Sequence, residues 1–139
     1  MHKKIALLAF CFLSQWADAE MCPDVHRMQN HLPIGWKMYD SDNGSLLTPE
    51  QQTQFIHRAA QFALAEWSNK KNSHNEVHCY YNDKIGSHLQ AYLAKKNFTP
   101  HLSKTSYWYS VTGSMDCAAG TDKCEFQRYI QPHSQLAKK

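Results

Sequence analysis

The sequence predicts an α+β domain. A short N-terminal helix should pack on an antiparallel sheet of about four to five strands, with two disulfides stapling the fold. Three observations support this. Four cysteines lie beyond an export-type leader, several segments alternate apolar and polar residues, and Thr48-Pro49-Glu50-Gln51 has the form of a helix start.

The leader comes first in chain order. His2, Lys3 and Lys4 are followed by an uncharged apolar run from Ile5 to Leu13, then by Ala17-Asp18-Ala19. That is the order of a cleavable signal peptide, residues 1–19, with cleavage expected between Ala19 and Glu20. A membrane anchor fits less well, because nine apolar residues rise only about 14 Å as a helix against a hydrocarbon core of roughly 30 Å. A lipoprotein reading would use Cys11, but Phe10 stands where a small residue is required. The mature chain, with a single domain over 20–130 and a polar tail over 131–139, is expected in the periplasm or outside the cell.

Removal of the leader lowers the formal charge from +3 to +2, since Lys3, Lys4 and Asp18 leave. So small an excess indicates neither a nucleic-acid partner nor an anionic membrane. No later apolar run approaches membrane-spanning length.

Cys22, Cys79, Cys117 and Cys124 remain, an even number suited to an oxidising compartment. Cys117 and Cys124 enclose a short segment containing Ala118-Ala119-Gly120 and can meet locally. Cys22 is then left to tie the start of the mature chain to Cys79. Structural zinc competes less well, because the C-x2-C spacing is absent.

The elements follow in order. Cys22 to Leu32 reads as a helix, with Pro23 at its first position and Val25, Met28 and Leu32 on one face. Pro33 and Gly35 should end it. Trp36 to Tyr39 alternates as a strand, and Asp40 to Ser45, with Asn43-Gly44, is a turn. From Pro49 to Trp67, length and propensity favour one helix, yet the second half also alternates as a strand would. Glu76 to Tyr81 is a strand that sends Val77, Cys79 and Tyr81 one way, and His78 and Tyr80 the other. His88 to Lys95 is another, with Leu89, Ala91 and Leu93 on one face, and Pro100 breaks it. Ser106 to Thr112 and Glu125 to Ile130 complete the strand candidates.

The frame made by Cys22-Pro23, Gly35-Trp36, Phe62, Cys79-Tyr80-Tyr81, Trp108 and Cys117…Cys124-Glu125-Phe126 resembles small exported domains of unknown function from gammaproteobacteria such as Legionella and Coxiella relatives. The resemblance implies an α+β domain with an antiparallel sheet. It also implies a helical turn followed by a strand, in place of one long helix, before Trp67. It carries over no catalytic residue.

Catalytic constellations are thin. His74 and His78 are four apart, but they fall in a loop and a strand, and no Glu follows His74 as H-E-x-x-H requires. His78 and Cys79 are neighbours on a strand and point to opposite faces, so they cannot form a nucleophile pair. There is no G-x-S-x-G. Glu66 and Glu76 are the only central carboxylates flanked by aromatics, and spacing alone does not exclude a carboxylate pair.

Aromatics are the positive signal. A strand through Ser106 to Ser110 sends Tyr107 and Tyr109 to one side and Trp108 to the other, so a one-layer sheet leaves at least one side outward. Outward aromatics give contact area at low entropic cost. The expected binding residues are therefore Tyr107, Trp108 and Tyr109, with Trp36 as a neighbour. The expected function is a non-enzymatic exported binding or accessory protein with a protein partner in the bacterial envelope or outside the cell. No cofactor or metal is implied. The alternatives are a small envelope hydrolase using carboxylate or histidine–metal chemistry, and a structural part of a secretion or surface assembly.

Overall fold

A computed structural model describes residues 19–29, 31–69 and 74–130. The leader up to Asp18 and the tail over 131–139 lie outside the described residues. Strand β1 is Lys37–Asp40, followed by helix α1 at Pro49–Arg58, then β2 at Gln61–Ser68, β3 at Glu76–Asn82 and β4 at His88–Lys95. Strands β5 (Phe98–Pro100), β6 (Tyr109–Val111), β7 (Ser114–Cys117) and β8 (Phe126–Arg128) follow.

Six of the strands form one sheet in the order β1-β4-β3-β2-β7-β6, and each neighbouring pair is antiparallel. Strands β5 and β8 form a separate antiparallel ribbon. The architecture is thus α+β and mainly antiparallel, with more strands than the four to five expected. No helix among the described residues is long and apolar enough to cross a membrane.

Register places the core on one face. Met38, Leu93, Cys79, Ala65 and Cys117 stand opposite one another across five strands, and all five are fully buried. Both disulfides rise from this row, Cys22–Cys79 and Cys117–Cys124. The same face carries Val77 and Tyr81, and Phe55 of α1 meets the Tyr81 ring edge-on at 6.0 Å. Trp36, Phe98 and Phe126 extend the core through edge contacts at 5.9 and 5.5 Å.

Glu20, the first residue expected after cleavage, is built into this structure. Its backbone exchanges two hydrogen bonds of 2.8 Å with Phe126, and its carboxylate pairs with Lys95 at 2.6 Å.

Two helical expectations are corrected. Residues 22–32 form no helix among the described positions. Asp24 and Val25 accept single-turn bonds, and the Tyr81 hydroxyl donates to the Pro23 carbonyl. The disulfide at Cys22 and the buried Met28 dock this segment as turns. Helix α1 does begin with the capping box: Gln51 N donates to Thr48 Oγ1 at 3.2 Å, and Thr48 N donates to Gln51 Oε1 at 2.9 Å. It stops at Arg58, well before Trp67, because β2 is central. Ladders on both sides and full burial of Ala65 outweigh the helix propensity of Ala63, Leu64 and Glu66.

A bulge between Phe62 and Leu64 reverses the facing within β2. Phe62 reaches Tyr81 on the core side at 6.0 Å, whereas Leu64 and Glu66 face away. Pro100 does not break β4, which ends at Lys95 before a turn with Asn97 at φ 68°. It ends β5 in the two-stranded ribbon, where a missing N–H is tolerated. Strand β7 has no counterpart among the strands expected from the sequence; a two-residue turn at Thr112-Gly113, with Gly113 at φ 76°, folds it back on β6.

Candidate functional site

The second face of the six-stranded sheet carries a different chemistry. Leu46, Tyr39, Tyr92, Tyr80 and Leu64 stand opposite one another across β1, β4, β3 and β2, with Leu46 joined through a single bridge to Tyr39. The Tyr39 and Tyr92 rings stack at 5.8 Å, and Tyr92 and Tyr80 lie 5.5 Å apart. All three tyrosines are half-buried. The one α-helix among the described residues lies on the opposite face, against Tyr81.

Beside this aromatic row runs a charged one. Lys37, Ala94, His78, Glu66, Asp116 and Tyr109 share a register across all six strands. The His78 ring lies 4.4 Å from that of Tyr92. Its Nε2 is 3.0 Å from Glu76 Oε1, and its Nδ1 is 3.9 Å from Glu66 Oε1. The hydrogen bond with His78 holds the Glu76 carboxyl below the usual carboxylate range, against an opposing effect of burial. Burial raises the Asp116 carboxyl, and its Oδ1 has no hydrogen-bond partner among the described residues. Burial, helped by neighbouring carboxylates, also raises Tyr80 and Tyr92, so both hydroxyls stay neutral donors at ordinary pH.

The expected binding residues separate. Tyr109 is half exposed, at 50%, and lies at the β6 edge of this face, opposite Asp116. Tyr107 is equally exposed but precedes the strand, with Lys123 Nζ 5.3 Å from its ring centroid. Trp108, at 7% exposure, is a core residue whose Nε1 donates to the Glu125 carbonyl at 2.7 Å. Trp36, at 8%, packs on Phe126 beneath Lys95. Trp36 and Trp108 are thus core groups by burial, whereas Tyr107 and Tyr109 are exposed.

His74 sits exposed in a left-handed turn at φ 46°, off the strand that carries His78. Among the described residues, no three His, Cys, Asp or Glu side chains are placed to share a metal ion.

Tyr39, Tyr80 and Tyr92 were not singled out from the sequence. Their signal was there in part, since each occupies the phase of its strand that faces away from the core. Tyr80 lies between Cys79 and Tyr81, and Tyr92 between Ala91 and Leu93. The missing piece was register, which comes from the pairing of distant segments.

With this geometry in hand, the chain matches no family model, no curated protein and no solved structure. The chemistry of the face is what bears on its role: a row of packed tyrosines, with the Tyr80 and Tyr92 hydroxyls held neutral, beside the Glu66, Glu76 and Asp116 carboxylates.

Proposed function

We propose that this protein is a non-enzymatic exported binding domain, acting in the bacterial envelope or outside the cell, and that it grips its ligand on the open face of the sheet. The tyrosine row Tyr39–Tyr92–Tyr80 carries the reading. Three aromatic rings aligned across neighbouring strands make an extended contact surface with little side-chain entropy to lose. Tyr109 at the far edge is the part of that surface anticipated from alternation. The two disulfides support an oxidising compartment.

One observation favours a hydrolase instead: Glu66 and Glu76 both approach His78. The hydrogen bond that keeps Glu76 ionised works against it as a proton donor, because a general acid must hold its proton near the working pH.

The test is affinity capture with the oxidised chain from Glu20 onward, using envelope extract and conditioned medium, beside a Tyr39→Ala/Tyr92→Ala variant. The variant should retain its disulfides and lose capture by about tenfold or more. Equal capture by a folded variant would remove the face as the contact surface.

A further inference from the structure

At the β1–β4 end of the open face lies a cleft of about 590 Å³. Lys37, Lys96 and Arg128 line it, together with Tyr39, Tyr129 and Glu76. Lys37, Lys96 and Arg128 are exposed and form no ion pair among the described residues. Lys95 also lines the cleft, but Glu20 holds it at 2.6 Å. The one lining carboxylate, Glu76, is engaged by His78 at 3.0 Å. The small net charge of the chain conceals this grouping: cations gather at one end of the sheet, while Glu66 and Asp116 lie further along it.

Tyr39 belongs both to the cleft and to the tyrosine row. A ligand lying along the row therefore runs into the cations. We infer that the cleft binds the acidic group, carboxylate or sulfate, of an oligosaccharide that lies along the row Tyr39, Tyr92 and Tyr80. This rests on the open face being the contact surface.

Three features select an acidic sugar chain. The ring separations of 5.8 and 5.5 Å are comparable to the width of a sugar ring, so the three packed tyrosines form a row with a repeat that successive sugars can follow. Arg128 offers a planar fork suited to a carboxylate or sulfate, and Lys37 and Lys96 add point charges. An extended acidic peptide would gain most from unpaired backbone groups at a sheet edge. The tyrosine row instead runs across the strands, from the edge strand β1 inward to β4 and β3, so a ligand lying along it crosses the strands and meets side chains.

Calorimetric titration of the oxidised chain from Glu20 tests this with four probes: tetragalacturonate, its methyl ester, a heparin-derived tetrasaccharide and a tetraglutamate peptide. At least one acidic tetrasaccharide should bind, and added salt should weaken it. The ester should bind about tenfold more weakly than the free acid if tetragalacturonate is bound. Lys96→Ala/Arg128→Ala should lose the acidic sugar by a similar factor with an unchanged Tm. Tyr92→Ala should weaken acid and ester alike. Absence of binding by both acidic sugars overturns the inference, as does equally tight binding of tetraglutamate. Retention of the acidic sugar by Lys96→Ala/Arg128→Ala overturns the cleft while leaving the open face intact. Unchanged binding by a folded Tyr92→Ala overturns the open face itself.

Discussion

Cys79 and Cys117 belong to one row of the sheet and are separated there only by Ala65, which stands opposite both. Each carries a disulfide off the core face, so a methyl group fills the space between two bridges. Ala65 is fully buried. A larger side chain must displace one bridge or the sheet beneath it. Ala65→Leu should therefore cost about 1–3 kcal/mol through overpacking, read from urea unfolding of the oxidised protein. An unchanged midpoint would show that room exists between the bridges.

The longer bridge should dominate stability. Cys22 and Cys79 are 57 residues apart, against 7 for Cys117 and Cys124. In the chain-entropy model the first closure contributes about 4 kcal/mol and the second about 2.5 kcal/mol. Cys22→Ala/Cys79→Ala should lower the Tm more than Cys117→Ala/Cys124→Ala. The reverse order would mean that the N-terminal segment holds its place without the bridge.

Trp108 and Tyr109 are adjacent but should behave oppositely. Trp108→Ala removes a buried ring and leaves the Glu125 carbonyl without its donor, so a loss of about 3–5 kcal/mol is expected. Tyr109→Ala, on the exposed edge, should stay within about 0.5–1 kcal/mol of the parent. Thermal melts of the two variants check this. Comparable losses would mean that Tyr109 is also needed for folding.

Glu76 should make stability sensitive to acid. Its carboxyl is held below its ordinary value of 4.5, chiefly by the hydrogen bond with His78. A carboxyl depressed on folding stabilises the native state above its unfolded pKa, and that contribution disappears as the pH falls through the folded one. Glu76→Gln should cost about 1 kcal/mol near neutrality, and the gap to the parent should close below pH 4.5. His78, Lys96 and His74 supply the surrounding positive charge. A gap that persisted at acid pH would assign the effect to shape instead of charge.

Much of this fold was legible because local patterns carried it. The alternation of Val77, Cys79 and Tyr81 set the facing of β3. The bounds of β4, His88–Lys95, were those read from the sequence. Cysteine spacing led to the pairing that the structure has. Elsewhere tertiary contacts overrode local preference. Met28 and Val25 keep helical spacing, yet Cys22 and the Tyr81 hydroxyl hold their segment as turns. Ala63 and Leu64 favour a helix, but flanking strands claim them and a bulge changes their facing. The tyrosine row was the least legible feature, because Tyr39, Tyr80 and Tyr92 come from three separate strands and only register aligns them.

The most direct test of the open face is amide chemical-shift mapping. The oxidised, isotope-labelled chain from Glu20 would be titrated with the ligand recovered by affinity capture. Shifts should concentrate on β1, β3 and β4 around Tyr39, Tyr80 and Tyr92, and extend toward Tyr109, with α1 unaffected. Shifts centred on α1 near Phe55, with the tyrosine row silent, would contradict the claim.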